Sequence, residues 1–316
     1  MSERTSHPKG SLNTIRAALL APLSLVFILS ACNSSSRATT KSTINVVAAE
    51  NEYGNIAQQI GGRYVNVTSI MSNPNTDPHD YEASPSIAGL IANAGLVIQN
   101  GLGYDSFINK LEGASPNNQR TNIDVQTLLG LANSTPNPHL WYKVSAMAKV
   151  AAAITQDLSD KDPSHKKYFL ERERGFVASL AQINREIFKF KETYHNIDVA
   201  TTEPVSDYLL NTLGIHNLTP WPLQAAIMNG VDPSPEDVSI ELNLLANHKV
   251  NIFIYNQQVT DSLTQSFISA AQKSHIPVVG VYETMPTPGY DYQTWMEAEI
   301  KALQNAITKK KSTSKL

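Results

Sequence analysis

The 316-residue chain holds a single cysteine, Cys32, and therefore cannot form an internal disulfide. Its N-terminal apolar stretch, residues 17–31, is shorter than the ~20 residues that a membrane-spanning helix needs. Basic runs are missing outside the Lys-rich end at residues 309–311, which argues against nucleic-acid binding. The sequence also lacks a His-Glu-x-x-His segment, a nucleophile elbow and a Gly-rich phosphate loop, so these motifs do not support an enzyme. No short repeat is visible, which argues against a solenoid.

The N-terminus has the three parts of an export signal. Three basic residues precede the apolar stretch, and small residues follow it in the run Leu-Ser-Ala-Cys that ends at Cys32. This run resembles the bacterial lipobox, in which the cysteine is lipidated and becomes the new N-terminus. We predict a signal peptide over residues 1–31 and a Ser/Thr-rich flexible tether over residues 32–43. A cleaved soluble protein with an incidental cysteine is the alternative.

The mature chain is mildly acidic. Removal of residues 1–31 takes away three Lys/Arg and one Asp/Glu, which leaves 22 basic and 27 acidic side chains and a formal charge of −5. About 275 residues then follow the tether, enough for one large domain or two of ordinary size.

Short β-rich runs alternate with helical patterns before and after a central region, residues 163–195, that lacks this alternation. The strands are predicted at residues 44–49, 65–70, 96–98, 197–200, 250–255 and 277–282, with a weaker β-like run around residues 123–125. The helices are predicted at residues 55–60, 85–94, 105–111, 204–213, 235–247, 261–274 and 292–307. This alternation favours parallel sheets with helices on both faces.

The central region, residues 163–195, has no proline after its first residue and repeats apolar residues at three-, four- and seven-residue intervals. That spacing predicts one amphipathic helix about 45 Å long, which suits a connector between two lobes. A long helix lying on one domain is the alternative. We predict an α/β fold of two Rossmann-like lobes with parallel sheets, joined by one long rigid helix. The predicted segments are an N-terminal lobe, the linking helix, a C-terminal lobe and a Lys-rich tail, at residues 44–162, 163–195, 196–308 and 309–316.

Two of the eight histidines follow a proline in loop-like sequence, in Asp77-Pro78-His79 and Asn137-Pro138-His139. Proline fixes its own φ and pushes the preceding residue toward extended backbone, so each histidine leaves a stiffened turn. Two such imidazoles could form half of a metal site. The alternative is a pair of ordinary surface-loop histidines.

Ligands of open α/β sheets bind beyond the carboxyl ends of the strands. Four candidate metal ligands fall on that side of predicted strands, two in each lobe: His79, His139, Glu203 and Glu283. Two neutral imidazoles and two carboxylates balance the charge of a divalent cation, and nitrogen with carboxylate oxygen suits zinc, manganese or ferrous iron. Five of the other six histidines are predicted to be surface or capping residues, namely His165, His195, His216, His248 and His275, and the sixth, His7, falls in the predicted signal peptide.

Several acids compete for these roles. Glu203 precedes a predicted helix and could simply favour its N-terminus, whereas Glu283 could be a solvated acid at a strand end. Glu50 and Glu52 end the first predicted strand and are rivals as carboxylate ligands. Three acids beside His79 are better candidates for orienting its imidazole than for binding the ion, namely Asp77, Asp80 and Glu82.

These elements together resemble the zinc/manganese solute-binding family of ABC importers, also called solute-binding protein family 9 or cluster A-I. The resemblance rests on the run from Asp77 to Glu82, the Asn137-Pro138-His139 turn, Glu203 after a strand and the acid after the last strand, and it covers essentially the whole mature chain. In that family four side chains from two lobes enclose one divalent metal. Their counterparts here are His79, His139, Glu203 and Glu283.

Two departures from the family pattern concern the metal. The last ligand is usually aspartate, so Glu283 is unusual. Many zinc-specific members carry a His- and acid-rich loop between the first two ligands, whereas residues 113–137 contain no histidine. The identity of the metal therefore stays open between zinc and manganese.

The resemblance implies a lipid-anchored, monomeric receptor on the outer side of the cell membrane. It would capture Zn²⁺ or Mn²⁺ and hand the ion to an ABC permease and its ATPase. No catalysis is expected, because an ion whose positions are all filled by protein has none open for substrate. We also expect small lobe movements, since a long helix resists wide hinge opening. The alternatives are a secreted metal-dependent hydrolase and a surface adhesin with a structural metal.

Overall fold

The computed structural model describes residues 43–75, 78 and 81–316. The predicted signal peptide, Cys32, nearly all of the tether and three residues of the first histidine loop (Asp77, His79 and Asp80) lie outside the described residues. Within the described ranges, no helix has the length and apolar character needed to cross a bilayer.

The first lobe is built on a four-stranded parallel sheet. Its strands are β1 (Ile44–Glu50), β2 (Val65–Met71), β3 (Leu96–Gln99) and β4 (Thr121–Asp124), in the order β2-β1-β3-β4. The central strands are apolar on both faces, as in Val46, Val47 and Ala48, which are 0–2% exposed. Continuous apolar strands of this kind are typical of a parallel sheet covered on both faces. The covering helices are α1 (Asn51–Gly61), α2 (Pro85–Ala92), α3 (Phe107–Ala114), α4 (Val125–Leu129) and α5 (Met147–Lys161).

The second lobe repeats this topology. Its strands are β5 (Asp198–Thr201), β6 (His216–Asn217), β7 (Ile252–Asn256) and β8 (Val278–Val281), in the order β6-β5-β7-β8, all parallel. In chain order both sheets therefore have their first strand beside their second and third, with the fourth at the far edge. The helices are α7 (Asp207–Leu213), α8 (Trp221–Met228), α9 (Pro235–Ala246), α10 (Ser262–Lys273) and α11 (Tyr292–Lys309).

One long helix, α6 (Lys166–Thr193), joins the lobes after a 3-10 turn at Pro163–His165. Its buried stripe consists of Phe169, Phe176, Leu180, Ile183, Ile187 and Phe190. The helix packs against α1 and α5 of the first lobe and against α7 and α11 of the second. The prediction of a connector is confirmed, and a helix lying on one lobe alone was the wrong alternative.

The lobes share a hydrophobic core. One continuous cluster includes β1, α5 and α6 and extends through β5 and β8 to α11. Each sheet also has a smaller cluster on its outer face, around Val97 and Ile108 in the first lobe and Phe253 and Phe267 in the second. Because the shared cluster crosses the boundary between the lobes, wide separation of the lobes would expose apolar surface to water.

The structure differs from the sequence predictions in several local details. Helix α1 begins at Asn51, directly after β1, four residues before the predicted start. The helix predicted from residue 204 begins only at Asp207, because a turn fills residues 203–206. Four elements were not predicted: α4, α5, β6 and α8. The Lys-rich tail belongs to the folded part of the chain. The backbone of Thr313 forms hydrogen bonds with Val278 and Gly280, so the tail covers the edge of β8.

Candidate metal site

Three of the four candidate ligands are described, and all three are buried. Glu203 and Glu283 each lie two residues beyond a strand of the second sheet, β5 and β8. His139 directly precedes the 3-10 turn Leu140–Tyr142 of the first lobe. Their exposures are 0% for His139, 3% for Glu203 and 1% for Glu283. The fourth candidate, His79, lies outside the described residues.

His139 and Glu283 meet across the lobes. The Nε2 atom of His139 lies 3.2 Å from Oε2 of Glu283, and both side chains are inaccessible to solvent. Zinc bonds of about 2.0–2.1 Å at the tetrahedral angle place two ligand atoms about 3.3 Å apart. The observed separation therefore fits two atoms that bind one ion, and the charge-balanced donor set fits a divalent cation.

Asn137 fixes the orientation of the His139 imidazole. Its Nδ2 donates to the backbone oxygen of Pro204 at 2.7 Å, so its Oδ1 faces the other way. That Oδ1 accepts from the backbone N–H of His139 at 3.0 Å and lies 2.8 Å from His139 Nδ1. Nδ1 therefore carries a proton, and Nε2 is the ring nitrogen that faces Glu283. Because Pro204 follows Glu203, the same amide also joins the ligand loops of the two lobes.

A second amide, that of Asn256, connects the two carboxylates. Its Nδ2 donates to Oε1 of Glu203 at 3.1 Å and to Oε1 of Glu283 at 2.5 Å. Sequence reasoning missed this residue because it considered only charged and imidazole side chains. The signal was present, since Asn256 directly follows the strand predicted at residues 250–255 and so falls at the ligand-binding edge.

Aromatic side chains close the first-lobe side of the site. The Tyr104 hydroxyl donates to Oε2 of Glu283 at 2.8 Å. Burial, with the nearby charge of Glu283, raises the pKa of Tyr104 well above its usual value, so the hydroxyl keeps its proton. The ring of Trp141 stands edge-on to His139 with centroids 5.4 Å apart. These rings exclude water, which strengthens the electrostatic attraction of an ion to its ligands.

The other acids considered as ligands or partners, Glu50, Glu52 and Glu82, differ from Glu203 and Glu283 in their surroundings. Glu52 is buried, and its Oε1 accepts from the backbone N–H of Met285 at 2.7 Å, which joins the lobes. Burial raises the pKa of Glu52 to about 8, so the carboxyl is mostly protonated at neutral pH. Burial, and then the charge of Asp105, raises the pKa of Glu50 well above its usual value. Glu82 is exposed to solvent. Glu283, by contrast, approaches Nε2 of His139 to 3.2 Å and shares the Asn256 amide with Glu203, which favours these two acids as the ligands.

The five other histidines that the structure describes lie away from these residues. His165 stacks on Tyr64 and its Nδ1 is 2.6 Å from Asp162 Oδ2, while His195 and His216 are exposed. His248 and His275 follow helix ends with positive φ and are exposed. Among the residues that the structure describes, no three His, Cys, Asp or Glu side chains form a ready-made metal cluster. The candidate set of four ligands includes His79, whose placement is not described.

The fold and the facing sheet edges define a two-lobed binding protein of the α/β class. The chain belongs to the family described as "ZnuA: Zinc-uptake complex component A periplasmic", which matches residues 46–306. A similar relative is the metal ABC transporter substrate-binding lipoprotein ScbA of Streptococcus cristatus, 24% identical, with 92% of this chain and 98% of that protein covered. Another is the manganese ABC transporter substrate-binding lipoprotein PsaA of Streptococcus anginosus, 22% identical, with 81% and 85% covered.

Among solved structures, the periplasmic zinc-binding protein TroA of Treponema pallidum superposes with a TM-score of 0.73 at 16% identity, covering 84% of this chain and 99% of that one. This likeness confirms the two-lobed α/β fold. Family membership confirms the expectation of an extracytoplasmic solute-binding protein of a metal importer. It also confirms a binding function and gives no support to a hydrolase or to an adhesin.

Proposed function

We propose that the protein captures one divalent transition metal, Zn²⁺ or Mn²⁺, between its lobes and delivers the ion to an ABC permease driven by its ATPase. The ligands in this proposal are His79, His139, Glu203 and Glu283. The observation that carries it is the 3.2 Å approach of His139 Nε2 to Glu283 Oε2 across the lobes, in a setting closed to solvent.

Charge balance supports capture of an ion at this place. Two carboxylates buried together would repel each other and lose their hydration, a cost that a bound divalent cation removes. The His139 imidazole is already oriented by Asn137, so little reorganisation is needed when the ion arrives. With four protein ligands on the ion, no position remains for a substrate, which suits transport rather than catalysis.

Both candidate metals have support from relatives. The family is described by zinc uptake, and TroA is named as a zinc-binding protein, whereas PsaA is named for manganese. Nitrogen and carboxylate oxygen ligands suit both ions, although affinity generally increases toward zinc.

The proposal includes a lipid anchor at Cys32, with residues 1–31 removed and residues 32–43 acting as a tether. The run Leu-Ser-Ala-Cys supports the anchor, as does the description of ScbA and PsaA as lipoproteins. The folded part would consist of lobes at residues 44–162 and 196–308 joined by the helix at 163–195, and would act as a monomer. The core shared by the lobes supports capture by a small movement.

Isothermal titration of chelator-stripped protein with Zn²⁺ and with Mn²⁺ tests the proposal. We expect one ion per chain, and we expect single alanine substitutions at His79, His139, Glu203 and Glu283 to lower affinity by about 100-fold or more. His216→Ala serves as the control, because this histidine is exposed at the start of β6. Binding no tighter than millimolar in the wild type, or an unchanged affinity in His139→Ala, would contradict the proposal.

A further inference from the structure

Asn256 occupies the position between the two glutamates because of the strand order. It ends β7, which lies between β5 and β8, and those two strands lead to Glu203 and Glu283. Asn256 is 1% exposed, and its backbone N–H donates to Thr202 Oγ1 at 3.0 Å. The carboxyl ends of three neighbouring parallel strands therefore place an amide between two acids.

The orientation of this amide is determined by its neighbours. Oδ1 of Asn256 accepts from the backbone N–H of Gln258 at 3.0 Å, so a rotated amide would set Nδ2 against a donor. Nδ2 therefore points toward the carboxylates and donates to Oε1 of Glu203 and to Oε1 of Glu283. One primary amide has two N–H bonds, and here each carboxylate receives one of them.

This arrangement divides the oxygens of Glu283 by role. Oε1 accepts from Asn256, while Oε2 lies 3.2 Å from Nε2 of His139 and also accepts from the Tyr104 hydroxyl at 2.8 Å. A carboxylate that binds an ion through both oxygens must turn both toward the metal, which would break or bend the hydrogen bond at Oε1. The amide therefore favours binding through one oxygen. The same argument applies to Glu203, whose Oε1 accepts from the same nitrogen.

We propose that Asn256 is a metal-selectivity residue, which keeps Glu203 and Glu283 to one metal-binding oxygen each. The site is then limited to four protein ligand atoms and selects zinc against manganese. This inference rests on the proposed function and adds the choice of metal. Zn²⁺ is satisfied by four ligands in a tetrahedron, whereas Mn²⁺ favours six, so the loss of the two additional oxygens costs manganese more.

The test compares Asn256→Ala and Asn256→Leu with the wild type in chelator-competition titrations against Zn²⁺ and Mn²⁺. Both substitutions remove the donor, and Leu keeps the volume if the Ala variant folds poorly. The matched control is Asn251→Ala, which removes the same side chain at the opposite edge of the same sheet, where Oδ1 accepts from the Asp198 N–H at 2.8 Å. We expect the preference for zinc over manganese to fall by about tenfold in the Asn256 variants and to stay unchanged in the control.

Cobalt gives a second readout that does not depend on affinity. Co²⁺ in a tetrahedral site absorbs visible light strongly, and in a six-coordinate site weakly. We expect strong absorption in the wild type and in Asn251→Ala, and weaker absorption in both Asn256 variants. Equal weakening of zinc and manganese binding with an unchanged cobalt spectrum would show a merely structural role and overturn the inference.

The two proposals fail in different ways. A wild-type protein that binds no metal more tightly than millimolar contradicts the proposed function itself. A wild type that binds zinc but gives the weak cobalt spectrum of a six-coordinate site contradicts only the selectivity inference. That second result requires no variant, so the inference can be overturned even if both Asn256 substitutions prevent folding.

Discussion

The side chain of Asn51 and the backbone of Met285 exchange two hydrogen bonds across the lobes. Asn51 Nδ2 donates to the Met285 oxygen at 2.8 Å, and the Met285 N–H donates to Asn51 Oδ1 at 3.1 Å. Asn51 begins α1 directly after β1, and Met285 lies two residues beyond Glu283. The pair therefore joins the carboxyl edges of the two sheets beside the candidate metal site, and it acts together with the shared core to limit how far the lobes separate.

Asn51→Ala should weaken this connection between the lobes. The substitution leaves the buried oxygen of Met285 without the Asn51 donor, so we expect the free energy of unfolding to fall by about 2 kcal/mol. Urea denaturation measures the fall. Asn66→Ala is the control, because Asn66 is exposed and its side chain donates to Asn45 Oδ1 near the sheet edge at 3.3 Å. Equal stabilities of the two variants would argue against a role for Asn51 in joining the lobes.

Asn137 allows a separate test of how the imidazole is oriented. Asn137→Ala removes the acceptor of the His139 Nδ1–H, and we expect metal affinity to fall by about 10–100-fold. Asn137→Asp keeps an acceptor for Nδ1 but loses the donor to Pro204, so it should retain more affinity than the Ala variant. Calorimetric titration of both variants measures the difference. If Asn137→Asp loses as much metal affinity as Asn137→Ala, the bond to Pro204 contributes more to metal binding than the orientation of the ring does.

The carboxyl-edge rule predicted the positions of three of the four candidate residues. The rule placed Glu203, Glu283 and His139 on one side of the sheets, and the structure has all three buried there. It was applied only to charged and imidazole side chains and so passed over the amides of Asn256 and Asn137, although Asn256 directly follows the strand predicted at residues 250–255. The bond between Asn51 and Met285 spans 234 positions, and only the packing of the lobes brings its partners together. The pairing of the tail with β8 was missed for the same reason.

Glu241 predicts a pH dependence of stability that is independent of the metal site. This residue of α9 is 0% exposed, and burial raises its pKa from 4.5 to about 8. The folded state therefore binds a proton that the unfolded state releases above pH 4.5, so stability should fall as the pH rises from about 4.5 to 8. Glu241→Gln should remove this contribution to the pH dependence of the free energy of unfolding. The variant should be more stable than the wild type by about 3 kcal/mol at pH 9 in the metal-free protein, with little change at pH 4.

Thermal or urea unfolding at both pH values measures this effect. The control is Glu236→Gln, a substitution at an exposed position of the same helix, which should leave the slope unchanged. An equal effect of Glu241→Gln at pH 4 and pH 9 would indicate a packing change rather than the ionisation of a buried carboxyl.

Trp141 should report metal binding through its fluorescence. Its indole is buried and stands 5.4 Å, centroid to centroid, from the ring of His139, so a cation bound by Nε2 would change the electric field at the indole. We expect added Zn²⁺ to change tryptophan emission in the wild type and in Trp221→Phe, whose indole is 39% exposed in the second lobe. Trp141→Phe should lose most of this change while still binding zinc in calorimetry. A full emission change in Trp141→Phe would place the bound ion elsewhere in the molecule.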